Sequence, residues 1–300
     1  MGGRSVRVIL NGGKASENHI ETAVEAVRRR GHTIDVRTTS RTDGAEDLSR
    51  QAAEEGIDVV VAGGGDGTVN EVANGLMAAS AEPEVTMGVL PLGSANDFAR
   101  SCGIPPRDPG GALLLAASVE PTRIDVGRVN QRYFLNSVIG GLGAKATFRT
   151  SEWSKRWLGG AAYRITGTLG ALRPVAYPVQ VRTSDGVERA PLSFIAVMNG
   201  RWAGGTLIAS RAKLRDGMFD LLSVPAYSLG DLPALLSDFR ALPRRSPSFV
   251  RYEQREWVEI EALGELPISP DGERICGSTL RIDILKQRLP FALPAAEAVC

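Results

Sequence analysis

Residues 57–79 read IDVVVAGGGDGTVNEVANGLMAA, an apolar run, a glycine-rich corner and a helix pattern with almost no linker between them. A strand that passes directly into a helix points to βαβ crossovers, because a parallel neighbour strand is reached only through such a connection. Ile57 to Ala62 is predicted as a buried strand and Gly63-Gly64-Gly65-Asp66-Gly67 as the loop that follows it. Val69, Val72, Ala73 and Leu76 recur at i, i+3, i+4 and i+7, the apolar face of a helix over 68–79. Thr68-Val69-Asn70-Glu71 has the form of a capping box, with Thr68 at the N-cap and Glu71 three residues on.

The same alternation flanks this segment. Val6 to Leu10 reads as a strand before the loop Asn11-Gly12-Gly13-Lys14, residues 17–30 as a helix stopped by Gly31, and Thr33 to Thr39 as a strand. A polar-faced helix over 44–55 ends at Gly56. Downstream come a strand at 85–90, the turn Pro91-Leu92-Gly93, and helices near 95–101 and 108–118. This predicts an α/β domain over 1–122, a parallel sheet with helices on both faces. Ligands of such sheets sit beyond the carboxyl ends of the strands. Asn11, Thr39, Gly63 to Thr68 and Gly93 to Asp97 all follow predicted strands and would line one crevice.

After residue 122 the pattern changes to short alternating runs such as RIDVGRVN, YPVQVRT and EWVEIEAL, punctuated by Ser184-Asp185-Gly186, Arg215-Asp216-Gly217 and Pro270-Asp271-Gly272. These predict an antiparallel β domain over 123–287, interrupted by helices near 153–171 and 228–240. The apolar tail, 288–300, is expected to return to the first domain.

Three successive glycines let backbone N–H groups approach a phosphate, and a helix N-terminus behind them adds partial positive charge. A glycine-rich turn without a ligand is the plain alternative, but Asp66 and the second loop, PLGSANDFAR at 91–100, argue against it. The run has no GK[ST] ending and no GxGxxG, so neither a Walker A loop nor a dinucleotide fingerprint is present. A formal net charge of +1 gives no basic surface for nucleic acid. Three scattered cysteines, Cys102, Cys276 and Cys300, support neither a disulfide framework nor a zinc site. Two histidines, His19 and His32, leave no Ser-His-Asp constellation, and His32 is expected to face solvent at a helix end. No signal-peptide core and no run of about 18 apolar residues is present, so a soluble cytoplasmic protein is expected.

Phosphate-binding loops beside carboxylates, without a histidine base, suggest phosphoryl transfer, in which a protein chiefly positions groups and neutralises charge. That reaction requires Mg²⁺. The candidate carboxylates are Asp66, Asp97, Asp125, Asp271 and Glu273. Taken singly, Asp125 is a solvent-facing strand residue and Asp271-Gly272-Glu273 a β-turn, while an ordinary helix N-terminal charge is the plain alternative for Asp97.

Together, GGGDGTVNEV, PLGSANDFAR, the later RDG and SPDGE resemble the diacylglycerol-kinase catalytic family, in its bacterial YegS-like lipid kinase branch, over nearly the whole chain. The opening ILNGGK, the NGRWAGG run at 199–205 and the LP-rich tail belong to the resemblance. The GGDGT segment is shared with NAD kinases and phosphofructokinases; the LPLGSANDFAR run and the DGE placement favour the lipid kinases. The resemblance implies a phosphofructokinase-like ATP-binding domain and a C-terminal β-sandwich for the lipid. It places ATP on Asn11, Thr39, Gly64, Gly65, Asp66, Gly67, Thr68, Val69, Asn70, Glu71 and Ser94. Glu273 would be the general base, a buried carboxylate acting with Asp66 and Asp271 in catalysis. Asp66, Asp97 and Asp125 would organise Mg²⁺, partly through water. Asp216 with the carbonyls of Lys213 and Met218 would form a second, structural cation site, for Mg²⁺ or Ca²⁺. Ser94 stands where the family more often has Thr, and the first strand ends in Asn-Gly rather than Asn-Pro.

A lipid substrate also implies peripheral contact with the inner membrane face. Trp153 and Trp157, with Lys155 and Arg156 between them, read either as an interfacial patch or as tryptophans docked on the β domain. Trp202 would line the site or pack under it. Phosphatidylglycerol is the substrate the resemblance suggests, with diacylglycerol or a sphingoid base next. NAD kinase is the alternative enzyme, and a nucleotide-binding regulatory protein the alternative of another class.

Overall fold

A computed structural model of the chain describes residues 2–12, 17–39, 44–80, 82–144, 175–241, 249–275 and 277–295. The helix expected near 153–171, with Trp153 and Trp157, lies outside the described residues, as do Lys14, Cys276 and Cys300. The chain divides into two compact units, residues 1–126 with 285–300, and residues 127–284.

The first unit is a parallel sheet. Its strands are β1 (Ser5–Asn11), β2 (Thr33–Thr39), β3 (Val59–Gly64) and β4 (Thr86–Pro91), in the spatial order β4-β3-β1-β2. Every residue of β3 and β4 is buried, as expected for strands covered on both faces. The connecting helices are α1 (Glu17–Arg28), α2 (Gly44–Glu54), α3 (Asp66–Ala79), α4 (Asp97–Ser101) and α5 (Pro109–Ser118). Gly31 and Gly56 take positive φ just beyond α1 and α2, where a Cβ would be strained. Asp108 caps α5 by accepting the Gly111 N–H at 2.8 Å. The tail closes this unit: Phe291 pairs in parallel with Met87, and its ring meets Phe98 of α4 edge-on at 5.4 Å. His32 is not free in solvent; its Nδ1 accepts the Arg4 N–H at 3.2 Å.

Two local expectations are corrected. β3 runs to Gly64 rather than Ala62, because Gly63 pairs with Leu10 of β1 and Leu90 of β4. A Cβ on Gly63 would lie 2.5 Å from the Leu10 side chain. The helix starts at Asp66, with Gly65 as N-cap and no capping side chain. Thr68 is therefore inside the first turn and forms no capping box; it is buried and folds back over Gly64, where a Cβ would lie 2.3 Å from its Oγ1.

The second unit is antiparallel. Its main strands are β8 (Tyr177–Thr183), β9 (Gly186–Met198), β12 (Phe219–Pro225), β13 (Arg251–Arg255) and β14 (Trp257–Ala262). The order β13-β12-β9-β8-β14 is continued by β16 (Thr279–Phe291), whose last residues belong to the first unit. β5 (Thr122–Val129), β6 (Arg132–Phe134), β7 (Ser137–Gly141) and β15 (Ile268–Pro270) attach beside it, and β10 (Trp202–Ala203) and β11 (Thr206–Leu207) form a small hairpin. Alternate residues serve two cores. Ile195, Val197, Phe219 and Leu221 enter one with Phe134 and Ile260, while Ala196, Met198, Leu222 and Val224 enter the other. Helix α6 (Leu232–Ala241) covers the latter through Leu235.

Candidate functional site

In the first unit the parallel strands deliver their carboxyl ends to one edge. Asn11 and Thr39 are register partners there, and the Asn11 Nδ2 donates to Thr68 Oγ1 at 3.3 Å. The loops after β3 and β4 are bound to each other. Leu92 N–H donates to Gly64 O at 2.9 Å, and a Cβ on Gly93 would lie 2.5 Å from the Gly65 Cα. At Gly93 only glycine allows that backbone approach, while a Cβ on Gly65 would sit tightly, 3.3 Å from the Gly93 Cα. Asn96 closes the second loop from a left-handed conformation (φ 50): its Oδ1 accepts from Gly93 N and its Nδ2 donates to Gly93 O, both at 2.8 Å.

Asp66 joins the loops chemically. Its Oδ1 accepts the Phe98 N–H at 3.0 Å, at the start of α4. Burial pushes its pKa up, and backbone N–H groups of Phe98, Asp97, Asp66 and Asn96 pull it down without cancelling the rise. Gly67 is exposed, with nothing near its Cβ position, and Ser94 is exposed on the facing loop. Val69 and Asn70 are buried, so their side chains do not present themselves at this edge; Asn70 Oδ1 instead accepts from Asn74 at 3.0 Å. Asp97 is buried at the start of α4. Asp125, whose plain reading was a solvent-facing residue, is fully buried on β5 and accepts the Gln287 N–H at 2.6 Å.

In the second unit, Pro270 to Glu273 form a tight turn, Glu273 N–H donating to Pro270 O at 2.8 Å and Asp271 adopting φ 41. The Asp271 carboxylate accepts backbone N–H groups of Leu135, Asn136 and Ser137 at 2.7, 3.1 and 2.8 Å. Asn136 donates to Trp202 O and Asn199 to Leu135 O, each at 2.7 Å. The Asn199 and Gly200 N–H groups return to Asn136 O at 2.9 and 2.8 Å. Three loops are thereby tied into one polar knot that fixes the backbone under Glu273. The expectation of a buried Glu273 is corrected. Its side chain is 36% exposed and paired with Arg132, whose Nη2 lies 3.0 Å from Oε1 and 3.3 Å from Oε2. The turn carries Glu273 outward while Asp271 faces in.

Around Gly217 (φ 70), Asp216 Oδ1 accepts the Met218 N–H at 3.0 Å. Burial pushes the Asp216 pKa up, against the Met218 N–H and the Lys213 charge. Asp220, fully buried, is pushed up to about 6, first by burial and also by Asp216, while the Tyr252 hydroxyl opposes this through a 2.5 Å hydrogen bond. Among the described residues, Asp220 Oδ2 is buried without a hydrogen-bond partner.

The diacylglycerol kinase catalytic domain matches residues 5–129. A Chromohalobacter salexigens protein named "Probable lipid kinase YegS-like" is 41% identical over 294 residues, covering 97% of this chain and 94% of its own. This chain belongs to the YegS-like lipid kinase family. A Shewanella frigidimarina protein of the same name is 34% identical over 291 residues, covering 96% of the kinase and 94% of itself. The fold is that of a solved Bacillus anthracis diacylglycerol kinase, with TM-score 0.75 at 20% identity over 98% of each chain.

The kinase presents no preformed metal cage: among the described residues, no three His, Cys, Asp or Glu side chains converge on one point. The structure brings together Asn11, Thr39, Gly64 to Thr68 and Ser94 at one sheet edge, and Asp271 and Glu273 on one turn. Sequence reasoning missed Arg132, Asn136 and Asn199 of the lipid kinase. RYFLNS carries no signal that would separate Arg132 and Asn136 from ordinary strand ends, and Asn199 is marked only as the first residue of the NGRWAGG run, without a role.

Proposed function

We propose that this kinase transfers the γ-phosphate of ATP to a free hydroxyl of a membrane phospholipid, phosphatidylglycerol, at the inner membrane face. The observation that carries the reading is the pair of glycine loops at the parallel-sheet edge, held in backbone contact and followed by the fourteen-residue helix α3. Such an edge suits a polyphosphate, whose oxygens take loop N–H groups and the positive end of the helix. The roles assigned are nucleotide contact for Asn11, Thr39, Gly64 to Thr68 and Ser94, with Val69, Asn70 and Glu71 supporting them through α3. Asp66 acts chiefly by locking the second loop.

Glu273 takes the proton of the lipid hydroxyl as its oxygen attacks the γ-phosphorus and the bond to ADP breaks. Asp271 positions the turn that carries it. Mg²⁺, when bound, neutralises the phosphate tail. Asp66, Asp97 and Asp125 would hold it through water, as suits the hydration Mg²⁺ retains. Asp216 and the carbonyls of Lys213 and Met218 would hold the second cation, Mg²⁺ or Ca²⁺; the orphaned Asp220 Oδ2 nearby supports a cation there. No helix among the described residues is long and apolar enough to cross a membrane.

The test is γ-labelled ATP with Mg²⁺ over phosphatidylglycerol, diacylglycerol and a sphingoid base in mixed micelles, and NAD in solution. Label in phosphatidylglycerol, lost in Glu273→Gln, is expected. Label only in NAD would replace the reading with a soluble nucleotide kinase. ATP binding without transfer to any acceptor would favour a regulatory protein.

A further inference from the structure

Glu273 is held as one half of an ion pair. Arg132 opens the short strand β6, whose pairing with β5 sets Val129 opposite Arg132, and Phe134 at its end is fully buried. Glu273 stands on the turn pinned by Asp271. Both backbones are therefore fixed, while the side chains are 37% and 36% exposed. The pair can open by rotamer changes alone, without loop movement.

A proton acceptor that shares both oxygens with a guanidinium meets a hydroxyl poorly, since the strongest donor already occupies it. An uncharged lipid offers nothing to draw that guanidinium away. A headgroup that joins a phosphodiester to a hydroxyl a few bonds away offers both partners: the phosphodiester takes Arg132 and the hydroxyl meets the released carboxylate. Arg suits this exchange because its planar fork fits phosphate oxygens as well as carboxylate oxygens.

We infer that Arg132 is a specificity-determining residue that exchanges Glu273 for the phosphodiester of the lipid headgroup, so that an anionic glycerophospholipid unlocks the base and diacylglycerol does not. The inference rests on Glu273 acting as the base. It assigns Arg132 to the acceptor lipid rather than to the γ-phosphate of ATP, which would affect every acceptor alike.

Two measurements test it separately from the kinase reading. In mixed micelles, Arg132→Gln is expected to lower kcat/KM for phosphatidylglycerol about 10- to 100-fold, the range for a lost charge-assisted hydrogen bond. The rate with diacylglycerol should stay level or rise, and Arg132→Lys should recover part of the loss. An equal fall with both lipids, or an unchanged rate with phosphatidylglycerol, overturns the inference. Independently of turnover, calorimetric binding of short-chain phosphatidylglycerol without ATP should weaken by a similar factor in Arg132→Gln, with the melting temperature unchanged. Equal binding by the two proteins overturns it even if no lipid is phosphorylated. Loss of binding in the variant upholds the contact between Arg132 and the headgroup, and the unequal effect on the two lipids then upholds the exchange with Glu273.

Discussion

Replacing Asp271 tests whether a turn carboxylate organises this enzyme's second unit. Its two oxygens accept N–H groups from Leu135, Asn136 and Ser137 at 2.7–3.1 Å. Hydrogen bonds to a charged group contribute about 1.5–3 kcal/mol each, but those on one carboxylate are not additive and water reaches a half-exposed turn. A net loss of about 3 kcal/mol is expected for removal of the carboxylate. For a unit of this size it should lower the melting temperature by about 6–12 °C. Asp271 also sits at φ 41, where a Cβ residue other than Asn or Asp costs about 1 kcal/mol more. The order of stability should be wild type, then Asp271→Asn, which keeps one oxygen and tolerates the conformation, then Asp271→Gly, then Asp271→Ala. Differential scanning calorimetry of the four proteins reads this directly. An Asp271→Ala protein melting within about 1 °C of wild type, or one more stable than Asp271→Gly, would refute the reasoning.

Gly93→Ala should destabilise the first unit by about 2–3 kcal/mol and weaken ATP binding, because its Cβ would lie 2.5 Å from the Gly65 Cα; Gly67→Ala, open around its Cβ, should leave urea stability nearly unchanged. Asp58 accepts both the N–H and the hydroxyl of Ser5, at 2.7 and 2.8 Å, which lowers its pKa below 3.8. Its stabilisation is present above pH 3.8 and lost as pH falls through the lower folded value, so Asp58→Ala should remove a small part, under about 1 kcal/mol, of the acid sensitivity seen in melts between pH 2 and 5. Asn199→Ala should lower kcat with little change in ATP affinity, since Asn199 ties its loop to Leu135 O under the Glu273 turn; single-turnover rates and nucleotide titrations separate the two.

The alternation of strands and helices was legible because burial on both faces writes itself as continuous apolar runs, as in Val59 to Ala62 and Met87 to Leu90. The antiparallel unit was legible for the complementary reason, residues such as Ile195 and Ala196 facing opposite cores. Element ends were less so. Nothing in GGGDGTVNE says that Gly64 still pairs with Pro91 or that the helix begins at Asp66. Pairing and backbone approach decide that, and both depend on a loop far along the chain. The partners of the motif carboxylates were illegible on the same ground. Asp66 meets Phe98 across 32 residues, Asp271 meets Ser137 across 134, and Arg132 meets Glu273 across 141.

Those long-range partners share one physical logic. Each motif puts an aspartate beside glycine, in a segment with few side chains to hold its own shape. In the first unit Asp66 is bound to the amide end of α4, and in the second Asp271 is bound to three amides of the Leu135–Ser137 turn. A carboxylate on successive N–H groups is the strongest tie available to such a loop, and it leaves the adjacent residue outward: Gly67 exposed after Asp66, and Glu273 half-exposed two residues after Asp271. The invariant demand of the chemistry, on this reading, is a rigid loop first and a reactive group second. Asp66→Asn and Asp271→Asn, which keep an oxygen for the amides, should then retain far more activity than the corresponding alanines. Direct catalytic carboxylates would show the opposite pattern, with Asn as damaging as Ala.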